Sequence, residues 1–578
     1  MICLLVTEIL NMIKRNKKRD LLSLGLAIVI MIMLNYVGSF MFHRFDLTSE
    51  KRFTLADATK NLLGKLNDVV YVKVYLEGDF PAGFKMLRNE TKEMLDEFRT
   101  YSNDNIEYEF INPSANPDKK QNEEIYKQLY KKGLRPRPIE DNSENKKTEQ
   151  VLWPGAIVSY KGHEIAWNLL KTQVGKSSES QLNLSIQSLE YEFASCIRNL
   201  SVVMQPQIAF IQGHDELDTT QVKDLTAALQ EFYIVKRITL NEQLDALDGI
   251  KAIIIAQPDS SFSEKDKLIL DQFIMKGGKV LWAIDPLYTS WDSIRKNGET
   301  MGVPYDLNLD NMLFKYGVRI NQNLVIDLKC SSIPINVAMR GEPPNIILRP
   351  WIFSPLATPV NTHPITKNLD VVKSDFCSTI DTISASGIKK SIILQSSKEC
   401  KTLIAPVRVS IGFAHQDPKV EFFTDPPQTL AVLLEGKFKS VFENRVFLAD
   451  PKLDAEFKKE MKYTPTGVDN KMIVISDGDI LKNDVQASTG KAYPLGYDKY
   501  SNQMYGNRNF VLNCMNYLCD DSGLISVRNR ELTLRLLDKK KVQAERVKWQ
   551  LVNTFVPLLL IIAFGIFQNY WRKRKYSQ

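Results

Sequence analysis

Ala252-Ile-Ile-Ile-Ala-Gln-Pro-Asp-Ser-Ser-Phe-Ser-Glu-Lys-Asp-Lys-Leu-Ile-Leu-Asp-Gln-Phe-Ile-Met-Lys-Gly-Gly-Lys-Val-Leu-Trp-Ala-Ile-Asp-Pro286 is the stretch that decides the fold. It opens and closes on short apolar runs, Ala252 to Ala256 and Val280 to Ile284, each stopped by a proline pair, Gln257-Pro258 and Asp285-Pro286. Ser263 has the chemistry of a helix N-cap, Glu264 to Met275 is the helix it starts, and Lys276-Gly277-Gly278-Lys279 is the stop. Apolar strands that do not alternate are buried on both faces, and strands joined through helices run parallel. The same pattern precedes it: strand Gln207 to Gln212 ending at Gly213-His214, helix Val222 to Phe232, strand Ile234 to Ile238. The predicted class is α/β, a parallel sheet with helices on both faces.

Ligands of such sheets gather at the carboxyl ends of the strands. Gly213, His214, Gln257, Asp285 and Pro286 stand there and are the candidate ligand-binding residues. His214 and Asp285 have the chemistry of a base and its orienter, but no serine or cysteine stands at an equivalent strand end to be activated. Cys330, beyond Asp327, has no histidine nearby in sequence, and His163 and His214 fall in different units. No catalytic residue, metal ligand set or cofactor motif is assigned, and the expectation is a binding or coupling module rather than an enzyme.

Before this unit, Val69 to Leu76, Phe84 to Tyr101 and Ile106 to Ile111 read as strand, helix and strand. Arg135 to Gln150 is polar and proline-bearing, which predicts a surface loop, and Lys161-Gly-His163 is a turn between paired strands. Gly175-Lys-Ser177 matches the tail of a phosphate loop, but Leu170 stands where the pattern needs glycine, so nucleotide binding is not expected. After the unit, Ser331 to Val360 is rich in proline and apolar residues, either an exposed interaction edge or an irregular cover for the sheet. Asp477-Gly-Asp479 offers oxygen ligands without the spacing of a calcium loop. Phe510 to Leu518 is a helix, and Leu532 to Leu537 a short strand or helix.

Both ends read as membrane anchors. Val552 to Phe567, flanked by Trp549 and Trp571 and followed by Arg572-Lys-Arg-Lys575, has the length and flanks of a bilayer span. Leu21 to Phe42 is a second apolar run, preceded by Lys14, Arg15, Lys17, Lys18 and Arg19. Asn35 is the strongly polar residue deep in that run and a candidate contact for a partner helix. Met12 is a plausible start. The expected order is a cytoplasmic tip 1–20, a span 21–42, an extracytoplasmic α/β domain 44–200, a Rossmann-like domain 206–330, a region 331–548 completing the body, a span 549–571 and a cytoplasmic tail 572–578. Both termini then lie inside a bacterial inner membrane and the body faces the periplasm.

The chain has 578 residues, 66.1 kDa and a net charge of +7, too long for one domain. The clusters beside the spans supply much of the charge, and no internal basic stripe with aromatics points to nucleic acid. Seven scattered cysteines form no metal or redox pair.

Several passages, in order, resemble the GldG family of gliding-motility-associated ABC transporter components in Bacteroidetes. They are Arg44-Phe-Asp-Leu-Thr-Ser-Glu-Lys-Arg-Phe-Thr-Leu55, Tyr75-Leu-Glu-Gly-Asp-Phe-Pro81, Leu270 to Trp282 with Asp285-Pro286, Leu309 to Gly317, and Tyr505-Gly-Asn-Arg-Asn-Phe510. The resemblance spans essentially residues 12 to 578. It implies a non-ATPase accessory subunit, partnered by a multispanning permease and a separate cytoplasmic ATPase. It also implies an outer α/β core similar to glutamine-amidotransferase folds, without catalytic residues to carry over. An envelope protein or cell-wall material is a further expected partner. Gliding itself does not follow, since relatives occur in bacteria that do not glide. A lone two-span ligand-binding or scaffold protein is the alternative, and an envelope hydrolase ranks below it.

The topology is testable. A cysteine engineered in the 119–123 stretch should react with a membrane-impermeant maleimide once the outer membrane is opened. Labelling only after the inner membrane is permeabilised would refute it.

Overall fold

A computed structural model of the chain describes residues 21–33, 35–36, 54–141, 148–171, 177–202, 205–338, 342–443, 459, 462–486, 489–529 and 539–576. The expected cytoplasmic tip, residues 37–42 of the first span, Gly175-Lys176 and the 532–537 element lie outside the described residues.

Two units divide the chain, Met1–Thr54 and Leu55–Gln578. The first contains the apolar helix α1 (Leu21–Met33), whose side chains are exposed; Asn35, helical and exposed, lies just beyond.

In the second unit, α2 (Asp57–Leu63), β1 (Val70–Val74), α3 (Ala82–Tyr101), β2 (Ile106–Phe110), α4 (Lys119–Lys131), β3 (Arg137–Asp141), β4 (Thr148–Leu152), β5 (Gly155–Tyr160), β6 (His163–Asn168) and α5 (Ser178–Ser201) come first. Their four-stranded sheet has the order β2-β1-β5-β6, with β1 parallel to β2 and antiparallel to β5. The surface loop predicted over 135–150 is corrected: β3 and β4 pair antiparallel, Arg137 opposite Leu152. A two-stranded ribbon off the main sheet needs no apolar run, so polarity alone does not exclude strands there.

Next come β7 (Gln207–Gln212), α6 (Lys223–Gln230), β8 (Ile234–Thr239), β9 (Ala252–Ala256), α7 (Glu264–Met275), β10 (Lys279–Ala283), β11 (Leu287–Tyr288), α8 (Trp291–Asn297), β12 (Glu299–Pro304), α9 (Asp310–Tyr316), β13 (Val318–Ile320) and β14 (Asn323–Asp327). The chain continues through β15 (Cys330–Asn336), β16 (Ile346–Pro359), β17 (Val372–Lys373), β18 (Ile380–Thr382), β19 (Ile388–Gln395), β20 (Cys400–Ile404), β21 (Val407–Ser410), β22 (Thr429–Lys439), β23 (Thr466–Ile475) and α10 (Asn507–Cys519). A ten-stranded sheet follows the path β15-β16-β19-β22-β23-β10-β9-β7-β8, with β17 beside β16. From β8 to β23 the strands are parallel; β22, β19, β16 and β15 run antiparallel to their neighbours. The all-parallel sheet expected from the central stretch is thus corrected to a mixed one. The added strands arrive without crossover helices, so antiparallel pairing is the geometry open to them.

Both faces are covered. Leu225 and Leu229 of α6 and Phe510, Val511 and Met515 of α10 pack on one face, with Ile254 and Leu281. Leu268, Phe273 and Ile274 of α7 and Leu313 and Tyr316 of α9 pack on the other, with Ile253 and Trp282. The proline-rich 331–360 region is corrected as well: it is no irregular cover but the hairpin β15–β16.

The two ends of the body meet. Leu55, Leu63 and Leu66 share one core with Leu524, Ile525 and Val527, the latter three in a short 3-10 segment (Leu524–Asn529). Helix α5 lies between them. Its buried Glu190 accepts from the Ala56 amide (2.7 Å) and the Thr59 hydroxyl (2.9 Å), while Arg528 lies 5.2 Å from the Tyr191 ring. After residue 529 the next described element is α11 (Lys539–Tyr576), 38 residues with Pro557 inside. Within Ala544–Arg574 its most apolar 18 residues have mean hydropathy 2.1, and its apolar side chains are exposed. An uncovered apolar helix of that length spans a bilayer. The fold is therefore mixed α/β with several sheets and a C-terminal membrane helix.

Glu190→Ala should leave two donors unpaired at a cost of roughly 1–3 kcal/mol. Hydrogen exchange should show faster exchange over 57–63 and little change in β9 and β10.

Candidate functional site

Five parallel strands in the order β8-β7-β9-β10-β23 reverse direction of winding between β7 and β9, the place where open sheets form a crevice. Gly213 and His214 end one wall and Gln257 the other; Asp285 and Pro286 end the next strand.

Gly213 has φ +117, and a Cβ there would stand 3.0 Å from the Thr239 methyl, so the position needs glycine. His214 is buried, its ring stacked on Phe262 at 3.6 Å between centroids. Its Nδ1 lies 3.3 Å from Glu216 Oε1 and its Nε2 3.4 Å from Asp266 Oδ2, and its carbonyl accepts from the Asp259 and Ser260 amides. Both ring nitrogens are therefore committed, and His214 fastens the 213–216 turn to the 259–266 segment.

Gln257 and Asp285 are brought together. The Gln257 side-chain amide donates to Asp285 Oδ2 at 2.5 Å, and the Gly478 amide donates to Asp285 Oδ1 at 2.7 Å. Gln257 has φ +52 at the end of β9, and a Cβ on Gly478 would collide with it at 2.4 Å. Hydrolases of other folds put their nucleophile on a strained strand end; glutamine supplies none. Pro286 is partly buried beside the pair.

Asp477 and Asp479, from the end of β23, complete a cluster with Asp285 in which one carboxylate oxygen of each lies within 4.8 Å of the others. The donor type suits a divalent cation, but both oxygens of Asp285 and of Asp477 and one of Asp479 already have partners within the chain. Asp477 accepts from the Asp479 amide (2.8 Å) and the Asp375 amide (2.9 Å), and Lys482 Nζ stands 3.1 Å from Asp479. Ser354 donates its hydroxyl to Asp375. Burial and then the neighbouring Asp479 push the Asp285 carboxyl up to about 7; burial and Asp285 hold Asp477 well above the carboxylate range, and burial raises Asp375. Beside Asp479, the Lys482 ammonium is held above its usual value. The arrangement ties four segments together.

Asp375, Ser354 and Lys482 escaped sequence reasoning, since nothing local marks them. Asp477 and Asp479 carry a signal: like Asp285, they follow directly on an apolar strand, Met472 to Ile475.

Residues 205–514 match a family described as ABC-type uncharacterized transport system, and residues 49–159 match a domain of unknown function. The first match covers more than half of the chain, which belongs to that family. It is a membrane-anchored, non-catalytic accessory protein of ABC transport with an extracytoplasmic domain. An uncharacterized protein of Borreliella burgdorferi is 21% identical over 577 residues, 97% of this chain and 99% of its own. Among solved structures, the mmIFT52 N-terminal domain aligns with TM-score 0.31 and 14% identity, over 54% of this chain and 96% of that domain. An exo-beta-1,4-mannosidase from Opitutaceae bacterium strain TAV5 aligns with TM-score 0.18 and 10% identity, over 52% of this chain and 35% of the enzyme.

Folding raises the carboxyl pKa values of this cluster, so the folded chain holds its protons more tightly than the unfolded chain. The contribution of Asp285 is full below about pH 4 and is lost as pH rises through about 7. Asp285→Asn should thus raise the unfolding midpoint at pH 8, by about 1 °C for each kcal/mol recovered in a body of this size. The gain should vanish towards pH 4, as thermal scans across that range can check.

Proposed function

We propose that this chain is the coupling subunit of a complex with a multispanning permease and a separate cytoplasmic ATPase, and that both ends are anchored in the bacterial inner membrane. One observation carries the proposal: Leu55 and the Leu524–Asn529 segment, the residues from which the chain leaves towards either apolar helix, pack into one core around α5. A displacement of membrane helices by an ATP-driven partner would reach the body at a single place. Within α11 basic residues flank the apolar stretch on both sides, five at Lys539, Lys540, Lys541, Arg546 and Lys548 and four at Arg572 to Lys575. Charge at that helix does not choose an orientation, so the inside placement of both termini rests on the cluster from Lys14 to Arg19. In the two-span arrangement Asn35 contacts a partner helix.

The recognition edge is proposed at the strand ends, at Gly213, His214, Gln257, Asp285 and Pro286. There Asp285 and Asp479 keep part of their surface exposed. An envelope protein or cell-wall ligand is the proposed object, and a role in gliding or envelope secretion belongs to the same reading. The core is proposed to share the amidotransferase-like arrangement. A scaffold without a ligand is the second reading; the bonds that both oxygens of Asp285 and of Asp477 already make within the chain favour it.

Purification of the native complex in mild detergent, followed by mass spectrometry, should recover a permease and an ATPase in stoichiometric amounts. A monodisperse particle of this chain alone, under conditions that keep other transporters intact, would refute coupling.

A further inference from the structure

The N-terminal part of β16 is an open edge. Residues Ile346 to Pro350 pair with β15 on one side, and on the other β17 and β19 reach only Leu356 to Pro359. Among the described residues no strand and no backbone hydrogen bond meets that second edge at 346–350. Edges of this kind are usually blunted by charge. Here Ile346 is 65% exposed, Ile347 37% and Leu348 48%. The adjacent cation, Arg349, is tied to Asp417 at 2.9 Å. That pair also brings the segment after β21 alongside the hairpin, and Phe413, Val420 and Phe422 there are more than half exposed. Phe413 packs edge-on against Phe353 of the same strand at 5.6 Å. A contiguous exposed apolar group of this kind on an unpaired edge is a contact surface.

We propose that this edge docks on the same edge of a second copy of the chain, strand to strand about a two-fold axis. The sequence is self-complementary in that arrangement. Antiparallel pairing centred on Leu348 sets Leu348 opposite its own copy, Ile347 opposite Arg349 and Ile346 opposite Pro350, so no like charges face. Copies anchored by α11 in one bilayer present the edge on the same side of the membrane. Five residues a side, even with the flanking aromatics, fall short of the ~1,200–2,000 Å² of a self-sufficient interface. Confinement to the bilayer raises the effective concentration and supplies what the contact lacks.

Disulfide cross-linking of the full chain in native membranes tests this. With Leu348→Cys, mild oxidation should give a species of twice the 66.1 kDa chain mass on a non-reducing gel. The unsubstituted chain and Tyr130→Cys, exposed on α4, should not give it. Adding Ile346→Lys should cut the yield at least fivefold while leaving the thermal midpoint unchanged. Three results would overturn the proposal: no dimer from Leu348→Cys, equal dimer from Tyr130→Cys, or a yield unmoved by Ile346→Lys. A cross-link to a protein of different mass would also overturn it, and would make the occupant an extended segment of another chain.

Discussion

Strand β23 is the constraint on which the rest of the body depends. It lies between β10, with which it runs parallel, and β22, with which it runs antiparallel. Val280 faces Met472 and Met472 faces Leu434, so one strand joins chain segments nearly two hundred residues apart. All eight residues of the β22 and β23 centres that meet there, Ala431 to Leu434 and Met472 to Ile475, are apolar and buried. Without β23, the parallel half would expose the edge of β10, and the antiparallel half would have nothing to close against. Its end also delivers Asp477, Gly478 and Asp479 to Asp285.

That delivery has an electrostatic cost. Carboxylates brought together away from water cannot all ionise, and backbone amides and Lys482 compensate only in part. The cost is accepted at the place where strand ends, the 374–378 segment and the loop after β23 must be held in register. His214 plays a similar part on the neighbouring wall, where two carboxylates and a stacked phenyl ring fix one turn on another. His214 and Asp285, chosen for their chemistry, thus turn out to hold chain segments together.

Periodicity made the parallel strands legible. Gln207–Gln212 and Ala252–Ala256 end where the apolar runs end, because buried strands and their breakers are local signals. Asp285 was legible for the same reason. Asp375 was not: it lies outside any strand and is placed by partners far away, with Phe376 donating to the Phe353 carbonyl and Ser378 to that of Ser476. The hairpin β15–β16 was hidden by Pro350, Pro355 and Pro359, which argue against a strand. An antiparallel ladder asks for an amide only at alternate residues, and the register shift between Cys330 and Ser332 relieves the ladder near Pro355. Local sequence does not report which residues those are.

The meeting of the body's two ends around α5 sets a load path. In the proposed two-span arrangement, a pull applied at both ends of the body closes through α2, α5 and the Leu524–Asn529 segment, across the Glu190 hydrogen bonds and the shared apolar core. The ten-stranded sheet hangs from this bracket and carries none of the tension. Its hydrogen bonds need resist only thermal motion, while the bracket, a few apolar side chains and one carboxylate, is the part that yields first under force.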